Sequence, residues 1–282
     1  MPVDLYIGGA EHAVLHLLYA RFWHKVLYDA KLVSTPEPFQ RLINQGLILG
    51  EDGEKMSKSR GNVVNPDEVI RGHGADAFRL YEMFMGPLEA VKPWSMRSIE
   101  GVDRFLNRVW RLVVTEAGVN PRLSDAPAQG ELRRLLHATI ETMTRDLEGL
   151  RFNTAISAMM VFLNALEDAT PLPRQAVDTF LLLLAPLAPH LSEELWQRLG
   201  HADRLADAPW PTHDPSALEQ TELVMVIQVN GKVRSRMTVP ATASEADVRT
   251  RALEDAQVKK ALNGQSVKQV IVVPKRLVNV VI

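Results

Sequence analysis

The spacing of apolar residues changes character along the chain, and each change predicts an element. Val3, Leu5 and Ile7 alternate as a short strand does, and Gly8-Gly9 then read as a turn into a long helix from Glu11 to about Ala30. Lys31 to Leu49 reads as a connector carrying Pro36 and Pro38, with a short helix near Phe39 to Ile43 and an apolar strand at Leu47-Ile48-Leu49. Asn65-Pro66-Asp67-Glu68 pairs a capping side chain with proline at the first helical position. Gly74-Ala75-Asp76 opens a second helix, in which Asp76 and Arg79 are spaced for a salt bridge. A parallel strand at residue 3 has no earlier neighbour, so the pattern implies a sheet completed by polypeptide outside this sequence.

The strongest amphipathic pattern runs from Arg97 to Val114. At about 100° per residue, Val102, Phe105, Leu106, Val109 and Val113 share one face, while Arg97, Arg104, Arg108 and Arg111 line the opposite one. A polar stretch (Asn120 to Gln129) leads into three more helices. Leu132, Leu135, Leu136, Ile140, Met143, Leu147 and Leu150 hold the helical period, and Asn153 stands where it can cap the next helix, through Leu166. A third, from about Pro173 to Leu199, is interrupted at Pro186 and Pro189. Beyond a linker from His201 to Glu219 the period becomes two. Val224 to Val229, Asn230-Gly231 and Lys232 to Val239 spell a hairpin with a type I′ turn. A helical stretch (Ser244 to Leu262) and strands at Val267 to Val273 and Leu277 to Ile282 follow. The chain therefore reads as multi-domain: α/β over residues 1–95, all-α over 96–215, and a small α+β module over 222–282.

Composition narrows the class. A hydrophobic content of 46% is enough for real cores, and the longest apolar run, Leu181 to Leu187, is broken by Pro186 and far too short to span a membrane. Met1-Pro2-Val3-Asp4 lacks a basic secretory n-region. The absence of cysteine rules out disulfides and thiolate zinc sites in this chain and fits a reducing cytosol. The eight histidines show no H-E-x-x-H spacing, so no metal site built from side chains is expected. The net charge of −2 is uneven. Glu222 to Ile282 carries ten Lys/Arg against five Asp/Glu, which makes this end basic and suggests a polyanionic partner.

Candidate chemistry concentrates in Gly50 to Asn62 (GEDGEKMSKSRGN). Lys55 and Lys58, with hydroxyl residues between and after them and glycines at both ends, describe a mobile cationic loop suited to a polyphosphate whose charge grows as a bond breaks. The Walker spacing is absent. A solvated turn with ordinary surface lysines is the alternative. Gly8-Gly9 before a helix would let a nucleotide approach the backbone, or would simply be a strand-to-helix turn. The line Arg97, Arg104, Arg108 and Arg111 can straddle a phosphate backbone, although Glu100 partly neutralises it. On the second hairpin strand Lys232, Arg234 and Arg236 share one face, with Val233, Met237 and Val239 on the other. That basic ladder suits nucleic acid, and equally suits a solvated edge strand.

The string Lys55-Met56-Ser57-Lys58-Ser59 resembles the KMSKS loop of class I aminoacyl-tRNA synthetases. Gly8-Gly9-Ala10-Glu11-His12-Ala13, running into Leu17-Leu18-Tyr19-Ala20-Arg21-Phe22-Trp23, resembles the bacterial leucyl-tRNA synthetases among them, and Leu184 to Trp196 resembles the closing helices of their anticodon-binding bundle. The resemblance runs the length of the chain and is to the C-terminal portion of that family, as a truncated copy or a beta-type subunit of a split enzyme. It implies the second half of a Rossmann-like nucleotide fold, an anticodon-binding bundle, and a terminal domain touching the outer corner of tRNA. It also implies a cytoplasmic enzyme that ligates leucine to tRNA(Leu) through leucyl-adenylate, with ATP and accompanying Mg2+. Lys58, then Lys55, would act in catalysis; both, with Gly8, Gly9, Glu11 and His12, would bind ATP. Arg97, Arg104, Arg108, Arg111, Lys232, Arg234 and Arg236 would face tRNA. The HIGH motif, most of the leucine pocket and the editing domain do not occur here. The isolated chain is therefore expected to be inactive and to need the missing N-terminal half. The competing class is a non-catalytic tRNA-binding module.

Overall fold

Strand β1 (Tyr6–Gly9) pairs in parallel with β2 (Leu42–Gln45), and helix α1 (His16–Asp29) crosses between them. The computed structural model describes residues 1–219, 222–241, 243–262, 265–273 and 276–282, divided into two units, Met1–His213 and Asp214–Ile282. The first crossover differs from the periodicity in three ways. The glycines are the last two residues of β1 rather than a turn after it. A 3-10 turn, Ala10–His12, delays the helix to His16. The segment near Phe39 to Ile43, expected as a helix, is extended: Val3 bridges Phe39 and Leu42 begins β2. So short an apolar run fits either period, and sheet pairing decides it.

Next come β3 (Ile48–Leu49), α2 (Pro66–His73), α3 (Ala75–Phe84) and β4 (Lys92–Pro93), with β3 and β4 parallel. Asn65 caps α2 as its sequence indicates, its side chain accepting from Asp67 N. Helix α4 (Met96–Val113) begins the bundle; two-residue strands β5 (Val114–Thr115), β6 (Gly118–Val119) and β7 (Leu123–Ser124) lead to α5 (Gly130–Glu148) and α6 (Phe152–Asp168). Strand β8 (Leu172–Pro173), parallel to β7, precedes α7 (Arg174–Leu184) and α8 (Pro189–Arg198). The apolar face of α4 is buried as its spacing demands, through Ile99, Val102, Phe105, Val109 and Val113. It joins Met143, Ile156, Phe162 and Phe180 in a core that continues into α3 and Trp94.

Two polar expectations are overturned. Asp76 and Arg79 do not pair with each other. The buried Asp76 carboxylate accepts from Leu191 N at 2.7 Å and His190 Nδ1 at 2.8 Å, and Arg79 donates to Pro186 O at 3.1 Å. Both side chains thus fasten α3 to the start of α8, where free amides and the helix dipole favour a carboxylate. Asn153 does not cap α6, which already begins at Phe152. Asp146 organises that corner, accepting from Thr154 Oγ1 at 2.6 Å and Arg151 Nη2 at 2.8 Å. Burial alone would push the Asp146 carboxyl up, but hydrogen bonds from Thr154, Arg151 and Arg145 together hold it below its ordinary value.

In the second unit β9 (Glu222–Val229) and β10 (Lys232–Pro240) form the expected hairpin. Asn230 and Gly231 take φ of 47° and 76°, the type I′ conformation that glycine tolerates best. Helices α9 (Glu245–Glu254) and α10 (Ala256–Leu262) are followed by β11 (Gln269–Val273) and β12 (Leu277–Val281), giving the strand order β10-β9-β12-β11. Ser244 and Asp247 form a capping box at α9, and Met225, Ile227, Val239 and Val278 pack with Val248 and Val258 of the helices.

Removing the Asp76 carboxylate leaves the α8 amides without an acceptor. Asp76→Ala should cost about 1–3 kcal/mol, read from urea unfolding. The contribution of Asp146 has a defined pH sense. It is fully present above the unfolded-state pKa of about 3.9 and is lost as pH falls through the lower folded value. Asp146→Asn should therefore flatten the loss of stability below about pH 4, measured as the shift of the urea midpoint with pH.

Candidate functional site

The lysine loop leaves β3 through Gly50 and is cross-linked within itself. Leu49 bridges Lys55, and Gly50 N donates to Glu54 O at 2.8 Å, closing the neck. Gly53, at φ 74°, makes the reversal that an L side chain would strain. Asn62 then joins both limbs: its amide nitrogen donates to Asp52 Oδ2 at 3.0 Å and its oxygen accepts from Ser57 N at 2.9 Å. Arg60 pairs with Glu54 at 3.1 Å. The backbone amide of Glu54, and after it the Asn62 side chain, hold the Asp52 carboxyl below its ordinary range. Lys55 and Lys58 remain exposed at the surface of this frame. Beside it, Glu51, Asp52, Asn62, Asn65 and Met96 border a recess of about 470 Å³.

Gly8 and Gly9 end β1 beside Asn44 and Gln45 of β2, so they lie at the carboxyl ends of two parallel strands, where open α/β sheets receive ligands. Their conformation is extended; what they supply is space. A Cβ on Gly9 would come within 2.2 Å of the Glu11 carboxylate, which folds back over it. A recess of about 500 Å³ opens there between Ala10, Glu11, Gln45, Gly46 and Glu89. His12 is exposed, and so is His16, whose ring stacks on Tyr6 at 5.8 Å. The bundle has a recess of about 560 Å³ between Pro127, Leu135 and Pro171, but no lysine or arginine lines it.

Helix α1 beside this sheet is fastened by polar contacts and exposed on its apolar side. Of its fourteen residues His24 alone is buried, bonded through Nε2 to Thr35 O at 2.7 Å. Arg21, then Lys25, grip Glu37 and hold its carboxyl down to about 2. Leu18, Tyr19, Phe22 and Trp23 are between 59% and 65% exposed. They form a stripe of large apolar side chains at helical spacing.

The structure separates the arginines of α4. Arg97, Arg104 and Arg111 are exposed, with Glu100 3.9 Å from Arg104. Arg108, on the same line, is half-buried: Nε donates to Glu167 Oε1 at 3.0 Å and Nη2 bonds Asn164, tying α4 to α6. The ladder on β10 is also not the one its spacing indicates. A register shift between Val233 and Ser235 inserts Arg234 as an extra residue. Lys232 then pairs with Val229 of the buried face, while Arg236 pairs with Val226 and Val233 is turned out, 58% exposed. The three basic residues no longer share one face.

The residues that shape the loop, Asp52 and Asn62, do not announce themselves by periodicity. Their signal is the turn chemistry of Asp and Asn next to glycine. Asn62→Ala should speed hydrogen exchange at the Ser57 amide about tenfold and raise the Asp52 carboxyl, both measured by NMR.

Comparison with known proteins agrees along the chain. The family model for tRNA synthetases class I (I, L, M and V) matches residues 2–92, and that for the anticodon-binding domain of tRNA ligase matches residues 130–250. A leucine–tRNA ligase of Chlorobium phaeobacteroides (strain BS1) is 54% identical over 282 residues, 100% of this chain and 35% of the relative. One from Prosthecochloris aestuarii (strain DSM 271 / SK 413) is 57% identical over 279 residues, 99% of this chain and 35% of the relative. The crystal structure of a ternary complex, Agrobacterium radiobacter K84 agnB2 LeuRS-tRNA-LeuAMS, superposes with a TM-score of 0.73 at 35% identity, covering 100% of this chain and 38% of that one. The chain thus spans about a third of the length of the relatives it matches. By identity sustained over its whole length, the chain matches a portion of the leucine–tRNA ligases, and its residues 2–92 match the class I tRNA synthetases.

Proposed function

We propose that this chain supplies the phosphate-handling and tRNA-binding portion of a leucine–tRNA ligase, working with polypeptide that carries the rest of the enzyme. The observation that carries the reading is the exposed pair Lys55 and Lys58 on a loop cross-linked by Asn62. In the reaction the leucine carboxylate attacks the α-phosphate of ATP in line and pyrophosphate leaves; the terminal ribose hydroxyl of tRNA(Leu) then attacks the leucyl carbonyl of the adenylate and takes the aminoacyl group as AMP leaves. Lys58, assisted by Lys55, stabilises the charge gathering on the departing phosphates. Gly8 and Gly9 let the nucleotide approach the strand ends, with Glu11 and His12 beside it. Magnesium accompanies ATP, held by phosphate and water; among the described residues no group of three or more His, Asp or Glu is placed to hold it. The protein positions and stabilises charge, with no covalent intermediate on a side chain.

The domain reading that accompanies this assigns residues 1–95 to the second half of a Rossmann-like catalytic fold, 96–215 to the anticodon-binding bundle and 222–282 to the tRNA-contacting terminal domain. Support for a completing polypeptide comes from the open two-stranded sheet and the apolar stripe of α1. Among the described residues no helix is long and apolar enough to cross a membrane, and we place the assembly in the cytoplasm, where tRNA is charged.

A second reading, a non-catalytic tRNA-binding module, draws on the exposed Arg97, Arg104 and Arg111 and the basic second unit. Leucine-dependent pyrophosphate exchange separates the two. The isolated chain should give none; with the missing portion supplied, exchange should appear, and Lys58→Ala should lower it about a hundredfold or more. Exchange indifferent to Lys58→Ala, alongside tRNA binding weakened by Arg104→Ala, would establish the second reading instead.

A further inference from the structure

The lysine loop is closed on itself by Asp52, Asn62 and Arg60, so its direction must be set by something outside it. Among the described residues, and apart from the bridge to Leu49 at its own neck, one hydrogen bond leaves segment 50–62 for another element. Met96 N donates to Glu51 Oε1 at 2.8 Å. The other tether is apolar, through the half-buried Met56. Glu51 therefore sits on the first residue of α4, a helix whose own N-cap residue, Ser95, makes no side-chain cap. An unpaired amide and the helix dipole both favour a carboxylate there. The adjacent Ser95 amide is taken by the Tyr81 hydroxyl at 3.0 Å, which leaves Glu51 as the link between loop and helix. Gly50 and Gly53 flank it, so the neck has little stiffness of its own.

We infer that Glu51 is a positioning residue: through the amide of Met96 it locks the orientation of Lys55 and Lys58 to the axis of α4. The inference rests on the reading of those lysines as phosphate ligands. It makes α4 the frame of reference for the loop. A tilt of that helix, whose exposed face carries Arg97, Arg104 and Arg111, passes to the lysines through one charged hydrogen bond.

Position 96 offers an unusually clean test. It is the first residue of α4, where proline fits, and Ser95 before it is already extended, with φ −147° and ψ 109°. Met96→Pro deletes the donor and keeps the carboxylate. Met96→Ala keeps the donor and controls for the lost sulfur, which accepts from Trp94 Nε1. The first readout is trypsin cleavage of the full chain after Lys55, Lys58 and Arg60, followed by mass spectrometry beside the unfolding midpoint. Glu51→Ala and Met96→Pro should each speed cleavage about tenfold, and the double variant should go no further. Glu51→Gln, which retains an acceptor oxygen, and Met96→Ala should cleave near the parent rate. In the assembled ligase, Glu51→Ala should lower kcat for pyrophosphate exchange about tenfold with the KM for leucine unchanged, and Glu51→Gln should restore most of it. Cleavage and exchange at parent levels in Glu51→Ala, or additive effects in the double variant, would overturn the inference. Exchange that survives Lys58→Ala defeats the phosphate reading instead, and the tether then stands or falls on the cleavage rates.

Discussion

A parallel strand pair buries too little to support itself, and the first hundred residues are arranged around that constraint. Strands β1 and β2 hydrogen-bond to each other, and the one helix that crosses between them buries only a histidine. Parallel sheets are otherwise found covered on both faces. Here the polar side of α1 is pinned to Glu37 and Thr35, while its large apolar side chains face outward. The arrangement holds the helix in place and leaves its large apolar side chains exposed. Each of those side chains stands to gain roughly 1.5–3 kcal/mol on full burial, far more than the exposed ion pairs contribute.

The bundle solves the opposite problem. Its core is continuous from Val69 and Leu80 through α4 to Phe180, so the segment behind the lysine loop is anchored to a rigid body. Polar groups are placed at the joints. Asp76 receives the start of α8, Asp146 receives Thr154 and Arg151, and Glu51 receives the start of α4. Each is a carboxylate meeting backbone amides or arginine, the pairing that keeps a partly desolvated charge favourable. A cationic loop proposed to engage and release phosphate would gain from this division: among the described residues, internal cross-links keep its shape, and one external hydrogen bond is proposed to set its direction.

Much of this was legible in the residues, and the failures have physical causes. The hydrophobic stripe of α4, the Asn65 cap and the Asn-Gly hairpin are local features, and local features survive folding. The extended run at Leu42 escapes the pattern because three apolar positions, Phe39, Leu42 and Ile43, fit two periods, and a partner strand 36 residues earlier decides between them. Spacing pairs Asp76 with Arg79 on a helix surface because it shows neighbours on one element and says nothing of a helix start more than a hundred residues on. The ladder on β10 failed by a single residue: strict alternation carries no trace of a bulge, and one extra residue exchanges the faces. The lysines of the loop stand out in the sequence, whereas Asn62, which gives the loop its form, carries only the turn signal of an Asn beside glycine, and its partners Ser57 and Asp52 lie on different limbs.

Arg108 shows what such absorption means for an electrostatic footprint. Its guanidinium meets both Glu167 oxygens and Asn164, so the carboxylate already serves as its counterion. A polyanion laid along α4 would displace small cations from its own phosphates only where a free positive charge arrives to replace them. The helix would therefore contribute three ionic contacts at most, and the logarithmic dependence of such binding on salt would be shallower by about one unit than a count of arginines on that face would give.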